Sequence, residues 1–385
     1  MNRRWMTWGV LLAVVLLSGR VLWADAAELY AQIEKAANAK LDQTGKTRAE
    51  FIAEATAHLE GILAKCTEYR KTYPKGENLP DVLAQEVNAC IMLSSVKRSA
   101  ELRAKGIELA KQLTKDHPGS KAAAEGYVIL IQDSMMSGDD KKAFEYVEVL
   151  RKDYPRAEPT ATAYMMIMQH HLRNGDHAKA LEFGKLLVTD IPTSRYASMA
   201  LYYISMIHER DGKTAEAVAA LEQLVKDYKD SEFAQRAEGR LVLLKLKGSE
   251  LNLAFTAVDG QKIDIKNYRG KVVLIDFWAT WCGPCVQEMP NVVRAEKLMR
   301  DRGFRVIGIS LDEDRPAMEK FVKEKQMPWP QYFDGKGWGS ELARKFGISA
   351  IPQTFLVDKK GVVREIGLRG EELEKAIRTL VEEKG

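Results

Sequence analysis

The chain has 385 residues, of which 46% are hydrophobic and 29% are charged. This composition is typical of globular proteins, and it excludes a wholly disordered or fibrous chain. The formal net charge of +4 is small for this length, so we expect no nucleic-acid partner, which would need a concentrated basic face. Four cysteines are too few for a small disulfide scaffold.

The first 26 residues predict a cleaved secretory signal peptide. Arg3 and Arg4 give a positive start, residues 9–17 are an apolar run, and residues 24–26 (Ala-Asp-Ala) provide a cleavage site. The run is shorter than the roughly 20 residues of a transmembrane helix, and an uncleaved N-terminal anchor is the alternative. We therefore expect cleavage near Ala26 and a periplasmic or secreted protein, in a compartment where disulfides persist.

A repeat of 37 residues predicts helical hairpins over residues 27–247. Apolar residues recur there at three- and four-residue spacing, which is typical of amphipathic helices. Residues that keep the 37-residue step are Asp116, Asp153, Asp190 and Asp227, then Gly138, Gly175 and Gly212, and then Ala143, Ala180 and Ala217. Each glycine is expected to close one helix, and Asp139 or Asp140, and Asp176, are expected to cap the helices that follow. Pro118, Pro155 and Pro192 are expected to end the second helix of a unit, whereas the fourth unit has Lys229 in this place.

This pattern resembles tetratricopeptide repeats over residues 50–246, although the units have 37 rather than 34 residues. The small alanine, the glycine turn and the terminal proline fit the positions of that family. The resemblance implies a curved surface on which a protein partner docks. The alternative is a helical domain that only spaces the domain that follows it.

Two cysteines lie within the repeat region. Cys66 is on the helix before the break at residues 73–74, and Cys90 is on the next helix. Neighbouring helices can bring such residues together as a structural disulfide. The alternative is a pair of buried, inert thiols.

Residues 164–171 (YMMIMQHH) combine methionine and histidine side chains, which soft metals use as ligands. Met165 and Met168 fall at core spacing, however, and methionine commonly fills cores. We therefore expect core packing and no metal site.

After residue 250 the chain changes to β-branched runs that alternate with amphipathic segments. A hairpin is predicted across residues 259–260, and a helix is predicted from near Cys282 to about Arg300. Further strands are predicted at 271–279, 304–311, 353–358 and 362–367, and further helices at 318–325, 340–347 and 371–383. The expected architecture is an all-α helical-hairpin repeat domain over 27–247 and a small α/β domain over 250–385.

The motif Trp281-Cys282-Gly283-Pro284-Cys285 lies at the junction of the first long strand and the following helix. Helix N–H groups favour a thiolate at Cys282, which can attack a disulfide and form a mixed disulfide. Cys285, one turn further on, is placed to resolve it. A zinc site needs four ligands, and no second pair of cysteines or histidines is nearby.

The stretch DFWATWCGPC resembles thioredoxin, and residues 250–385 resemble its extracytoplasmic TlpA/ResA-like branch. The resemblance implies a thioredoxin-like fold, with an extra helix and strand between residues 312 and 332. It also implies that Asp276 is a buried carboxylate that accepts the Cys285 proton, with Glu288 as a second carboxylate. A solvated residue is the alternative in both cases.

The resemblance further implies a substrate surface around the cysteines. Ile351 and Pro352 match the segment that holds a cis-proline opposite the pair, where a substrate strand can lie. Trp281, Gly283 and Pro284 are expected to complete this contact surface. The Gly-Pro dipeptide favours a reducing protein, and the absence of a Pro-x-x-x-Thr-x-x-Cys run argues against a peroxidase.

These patterns predict a secreted thiol–disulfide oxidoreductase that uses a redox-active disulfide and needs no metal or organic cofactor. The expected partners are proteins with disulfides or thiols, an upstream thiol reductant that passes electrons across the membrane, and a protein docked on the repeats. Two alternatives stay open. One is a repeat-based binding scaffold whose thioredoxin-like fold is redox-inactive, and the other is a disulfide isomerase.

Overall fold

The computed structural model describes residues 25–383. Most of the predicted signal peptide, residues 1–24, lies outside the described residues. The predicted fold class is confirmed, because a helical repeat region precedes a mixed α/β sheet. None of the helices in the described part of the chain is long and apolar enough to cross a membrane.

Eleven successive helices occupy the described residues before the sheet. They are α1 (residues 25–37), α2 (Arg48–Thr72), α3 (Leu79–Lys97), α4 (Ala100–Asp116), α5 (Lys121–Ser137), α6 (Asp140–Asp153), α7 (Glu158–Arg173), α8 (His177–Asp190), α9 (Ala197–Arg210), α10 (Thr214–Asp227) and α11 (Glu232–Leu246). Consecutive helices from α2 to α6 pack against each other, as do α7 with α8 and α10 with α11.

The 37-residue period sets the helix ends. Gly138 ends α5 in the left-handed conformation at φ 78°, which glycine adopts without a steric penalty. Asp139 and Asp176 then cap α6 and α8, because each side chain accepts a hydrogen bond from a backbone N–H of the first turn. The period also places small, fully buried side chains where paired helices meet, at Ala143, Ala180 and Ala217.

The chain divides into two compact units between Ala200 and Leu201. In the second unit, the last repeat helices and the α/β fold belong together. Leu243 and Leu246 of α11 pack against the α/β core. A Cβ atom added to Gly239 would lie only 2.7 Å from the carbonyl oxygen of Gly347, so the two backbones touch. This contact requires glycine on the helix.

The elements of the α/β fold follow α11 in the order that the sequence predicts. They are β1 (Ala254–Thr256), β2 (Lys262–Asp264), β3 (Val272–Trp278), α12 (Gly283–Met299), β4 (Phe304–Ser310), α13 (Arg315–Glu324), β5 (Gln331–Tyr332), α14 (Glu341–Lys345), β6 (Gln353–Val357), β7 (Val363–Ile366) and α15 (Gly370–Glu382). The helix that was predicted from near Cys282 begins one residue later.

The main sheet has the order β5-β4-β3-β6-β7, and β1 pairs with β2 in a separate hairpin. Strand β3 runs parallel to β4 and antiparallel to β6. All seven residues of β3 are buried, as expected for a central strand that is covered on both faces. The carboxyl end of this strand leads directly into the loop that carries Cys282.

Large aromatic side chains fill the core around β3. Phe277 contacts Phe355 of β6, with ring centroids 5.2 Å apart, and Trp278 contacts Phe321 of α13 at 5.3 Å. The Trp278 indole N–H also donates to Gln331 Oε1 at 3.0 Å. Because β5 and α13 both hold Trp278, the inserted segment between β4 and α14 helps to fix the end of β3.

Candidate active site

The two cysteines lie where β3 passes into α12. Cys282 is the N-cap of α12, and its sulfur accepts a hydrogen bond from the Cys285 backbone N–H at 3.2 Å. The two residues form a disulfide, and they are 6% and 2% exposed. When the disulfide is reduced, the partial positive charge at the start of α12 favours the thiolate of Cys282.

Asp312 fixes the loop that leads from β3 to the cysteines. Its carboxylate accepts hydrogen bonds from the Thr280 backbone N–H at 3.0 Å and from the Thr280 hydroxyl at 2.6 Å. The Ser310 hydroxyl donates to the second oxygen at 2.8 Å. Asp312 is only 3% exposed. The loop is therefore anchored by a buried carboxylate whose two oxygen atoms both accept hydrogen bonds. The sequence analysis did not single out this residue.

Asp276 is a buried carboxyl in the strand that leads to the cysteines. It is 4% exposed and lies in register with Gly308 of β4 and Thr354 of β6. Burial raises the pKa of Asp276 from 3.8 to about 7, and the nearby carboxylate of Glu288 acts in the same direction. The Arg369 guanidinium lowers this pKa. Asp276 therefore exchanges a proton near neutral pH.

Glu288 is half-buried on α12, two residues before Pro290, which lies inside the helix. Its Oε1 accepts a hydrogen bond from the Gly370 backbone N–H at 2.7 Å, and its Oε2 accepts one from Asn291 at 3.1 Å. Gly370 is the first residue of α15, so the carboxylate sits at the positive end of that helix. Glu288 thus joins α12 to α15 and also acts electrostatically on Asp276.

Arg369 links two parts of the site that are far apart in sequence. Its guanidinium donates to the carbonyl oxygen of Pro352 at 2.7 Å, and the Ile351–Pro352 peptide bond is cis. The same guanidinium lowers the pKa of Asp276. Sequence analysis missed Arg369, since no motif marks it and only the turn between β7 and α15 brings it here.

Trp281, directly before Cys282, is 54% exposed. Its ring contacts that of Trp338, which is 48% exposed, at a centroid distance of 5.9 Å. Gly283 and Pro284 are exposed in the first turn of α12. The surface around the cysteines is thus more aromatic than the sequence predicted, because Trp338 comes from the loop before α14.

Cys66 and Cys90 require a correction, because both are free, buried thiols and the disulfide that we considered is absent. The two side chains fill different clusters. Cys66 packs with Ile33 and Tyr69, and Cys90 packs with Ile107 and others. Burial raises the pKa of Cys66 to about 12, which keeps this thiol protonated and unreactive.

The methionine and histidine residues of α7 divide between core and surface. Met165 and Met168 are 4% and 0% exposed, and His171 is buried beside the Phe144 and Phe183 rings. In residues 25–383, no group of three or more His, Cys, Asp or Glu side chains could hold a metal ion.

Comparison with known families gives two matches. The Redoxin family matches residues 245–380, and a tetratricopeptide repeat family matches residues 199–231. Residues 245–380 form a Redoxin domain. This domain is thioredoxin-like, of the TlpA/ResA type, and tetratricopeptide-like repeats precede it. The Redoxin domain contains all the residues of the cysteine site described above.

Several relatives of the Redoxin domain carry the name thiol-disulfide oxidoreductase ResA. The protein of Bacillus thuringiensis subsp. konkukian is 35% identical over 116 residues, which are 30% of this chain and 65% of that protein. A protein of Bacillus cereus is 33% identical over 114 residues, which are 30% of this chain and 64% of that protein. The chain thus spans slightly less than two thirds of these relatives.

Solved structures are also similar to the Redoxin domain. The thioredoxin domain of a thiol-disulfide oxidoreductase from Bacteroides vulgatus is 26% identical, with a TM-score of 0.33, over 35% of this chain and 98% of that one. A thiol-disulfide oxidoreductase from Bacteroides fragilis is 29% identical, with a TM-score of 0.32, over 34% of this chain and 98% of that one.

Proposed function

We propose that the protein is a thiol–disulfide oxidoreductase that reduces disulfides in other proteins. The observation that carries the proposal is a cysteine pair at the start of α12, together with a buried carboxyl of pKa about 7, Asp276, in the strand that leads to this pair. A structural disulfide needs neither a helix N-terminus nor a proton acceptor. The names of the ResA relatives support the same activity.

In the first step, the Cys282 thiolate attacks one sulfur of a substrate disulfide. A new sulfur–sulfur bond forms between Cys282 and that half of the substrate, and the other half leaves as a thiolate that takes a proton from water. The start of α12 lowers the energy of the attacking thiolate. Hydrogen bonds from Thr280 to Asp312 hold the loop before Cys282 in place, which limits the motion of the attacking residue.

In the second step, Cys285 resolves the mixed disulfide. Its proton passes to Asp276, whose pKa of about 7 suits proton transfer at neutral pH. The Cys285 thiolate attacks Cys282, the Cys282–Cys285 disulfide forms, and the remaining half of the substrate leaves as a thiolate that takes a proton from water. In the two steps together, two electrons pass from the reduced Cys282 and Cys285 to the substrate disulfide. A dithiol donor must then reduce the protein again.

We propose that this reaction takes place outside the cytoplasm, with the tetratricopeptide-like repeats as the docking surface for a protein partner. The basic start and apolar run within residues 1–26 support export. The repeat match supports a docking role, since such arrays present extended surfaces to other proteins. Ile351 and Pro352 would face the substrate strand beside the cysteines.

The test is the reduction of insulin disulfides by dithiothreitol, with the full mature chain as catalyst. The wild-type protein should accelerate the reaction, and Cys282→Ser should not. Cys66→Ser is the matched control, because this buried thiol lies outside the site and its loss should leave the rate unchanged. A wild-type rate equal to that of Cys282→Ser would refute the proposal and favour the scaffold alternative.

A further inference from the structure

Exposed large apolar side chains are rare in the Redoxin domain. Among its described residues, Trp281, Leu298 and Trp338 are exposed by 54%, 57% and 48%. Two of the three, Trp281 and Trp338, contact each other although 57 positions separate them in sequence. Tryptophan is strongly enriched among the residues that dominate protein interfaces, so this pair needs an explanation.

The loop that carries Trp338 is rigidly built. Asp334 accepts hydrogen bonds from the Tyr332 hydroxyl at 3.0 Å, from the Lys336 backbone N–H at 3.2 Å and from the Glu341 backbone N–H at 2.9 Å. These bonds tie the end of β5 to the start of α14. Trp338 lies between them in a single 3-10 turn, Gly337–Gly339.

Gly337 allows this turn to form. Its φ of 53° is in the left-handed region, and a Cβ there would lie 2.6 Å from Glu313 Oε1. The left-handed φ disfavours a larger residue, whereas Glu313 Oε1 is the end of a flexible side chain that can move. The chain therefore holds the half-exposed Trp338 in one position beside Trp281. Binding a partner then costs less conformational entropy, because the loop is already ordered.

The position of the pair identifies what covers it. Trp281 directly precedes Cys282, so a polypeptide whose sulfur reaches Cys282 also covers the Trp281 ring. The surface is thus continuous with the site of disulfide exchange. Lys336 beside the turn is paired with Glu341 at 2.7 Å, and the two exposed tryptophan rings supply most of the surface that a partner would meet. The complementary chemistry is an apolar or aromatic side chain.

We propose that Trp281 and Trp338 form an aromatic clamp, which binds an apolar or aromatic side chain next to the reactive cysteine of an extended polypeptide substrate. Trp338 is then a specificity-determining residue that selects disulfides in unfolded or partly folded proteins, where such side chains are exposed. This inference rests on the proposed function, because it names the substrate class of the same site.

The test uses the full mature chain, reduced beforehand, and three symmetric disulfides. Two are disulfide-linked dimers of a short peptide that has either Phe or Ser beside its cysteine, and the third is hydroxyethyl disulfide. Because the two halves of each disulfide are identical, both sulfur atoms have the same neighbouring residue. Attack on either sulfur therefore gives the same reaction. The measurement is the second-order rate constant of disulfide reduction in a single turnover.

The wild-type protein should reduce the Phe peptide faster than the Ser peptide. Trp338→Ala should lower the rate with the Phe peptide by about five- to tenfold, and it should leave the other two rates unchanged. Trp338→Phe should restore most of the loss. Leu298→Ala is the matched control, since this side chain is at least as exposed as Trp338 but lies 16 positions along α12 from Cys282, roughly 24 Å away.

Two results would overturn the proposed clamp and leave the proposed function standing. One is equal wild-type rates with the Phe and Ser peptides, and the other is an equal loss with all three disulfides in Trp338→Ala. If the wild-type protein reduces none of the three disulfides, hydroxyethyl disulfide included, the proposed function fails and the clamp fails with it. The small disulfide therefore separates the two failures.

Discussion

Replacing Asp276 with Asn should stabilise the oxidised protein at neutral and alkaline pH. The folded state keeps the Asp276 proton up to about pH 7, whereas the unfolded chain loses it near pH 3.8. Between these values the native state binds more protons, so its free energy of unfolding falls as pH rises. The slope is about 1.4 kcal/mol per pH unit, which over about three pH units amounts to about 4 kcal/mol. Above about pH 7 the free energy of unfolding of the wild-type protein does not fall further through Asp276.

The assay is denaturant unfolding of wild-type and Asp276→Asn proteins at pH 4 and pH 8. All four tryptophans after residue 24 lie in the Redoxin domain, so their fluorescence follows this domain. The stability difference between the two proteins should grow by about 4 kcal/mol from pH 4 to pH 8. Comparison across pH removes any effect of how the amide packs.

The matched control is Asp301→Asn, an exposed carboxyl on the turn after α12. This variant should follow the wild-type pH dependence. A stability difference for Asp276→Asn that does not change between pH 4 and pH 8 would refute the reasoning, because Asp276 would then have an ordinary pKa.

Three further predictions concern Arg369, Asp312 and Gly239, and Gly61 serves as the control for Gly239. Arg369→Gln should move the pH transition of Asp276 upward, because it removes the positive charge that lowers this pKa; stability measured against pH checks the shift. Asp312→Ala should lower the free energy of unfolding by about 2–3 kcal/mol, since three donors lose their buried acceptor. Gly239→Ala should cost about 1–3 kcal/mol in the same assay, because its Cβ would meet backbone. Gly61→Ala should instead be neutral or stabilise α2 by up to about 1 kcal/mol, in helical circular dichroism melts.

Each of these predictions has a contradicting result. Glu288→Gln is the partner of the arginine variant and should move the transition downward, because Glu288 raises the pKa of Asp276. Shifts of Arg369→Gln and Glu288→Gln in the same direction would contradict the electrostatic account. An Asp312→Ala protein as stable as wild type would show that the loop does not depend on this carboxylate. Equal stability of Gly239→Ala and Gly61→Ala would exclude the close backbone contact.

The sequence predicted those features that depend on local pattern. The glycine and aspartate positions of the 37-residue period gave the helix ends, and the β-branched run before Trp281 gave the central strand. Asp276, six residues before Cys282, was selected through the resemblance of the DFWATWCGPC stretch to thioredoxin. These features depend on residues that are close in the chain, so their spacing carries the information.

The features that the sequence did not predict depend on contacts between distant segments. Arg369 reaches Pro352 across 17 residues, Asp312 reaches Thr280 across 32, and Trp338 reaches Trp281 across 57. No local pattern marks these residues, since each acts only where loops meet at the end of the sheet. For Cys66 and Cys90 the sequence left two possibilities open, and the structure shows free, buried thiols rather than a disulfide, because adjacent helices alone do not fix the distance between two side chains.

The most direct test of the central claim is mass spectrometry of reduced Cys285→Ala protein after reaction with a disulfide-linked peptide dimer. Cys282 should retain one peptide as a stable mixed disulfide, because no second thiol is there to release it. The adduct should disappear on reduction, and the wild-type protein should release both peptides. An adduct-free Cys282 in a protein whose thiol is shown to be reduced and accessible would contradict the assignment of Cys282 as the nucleophile.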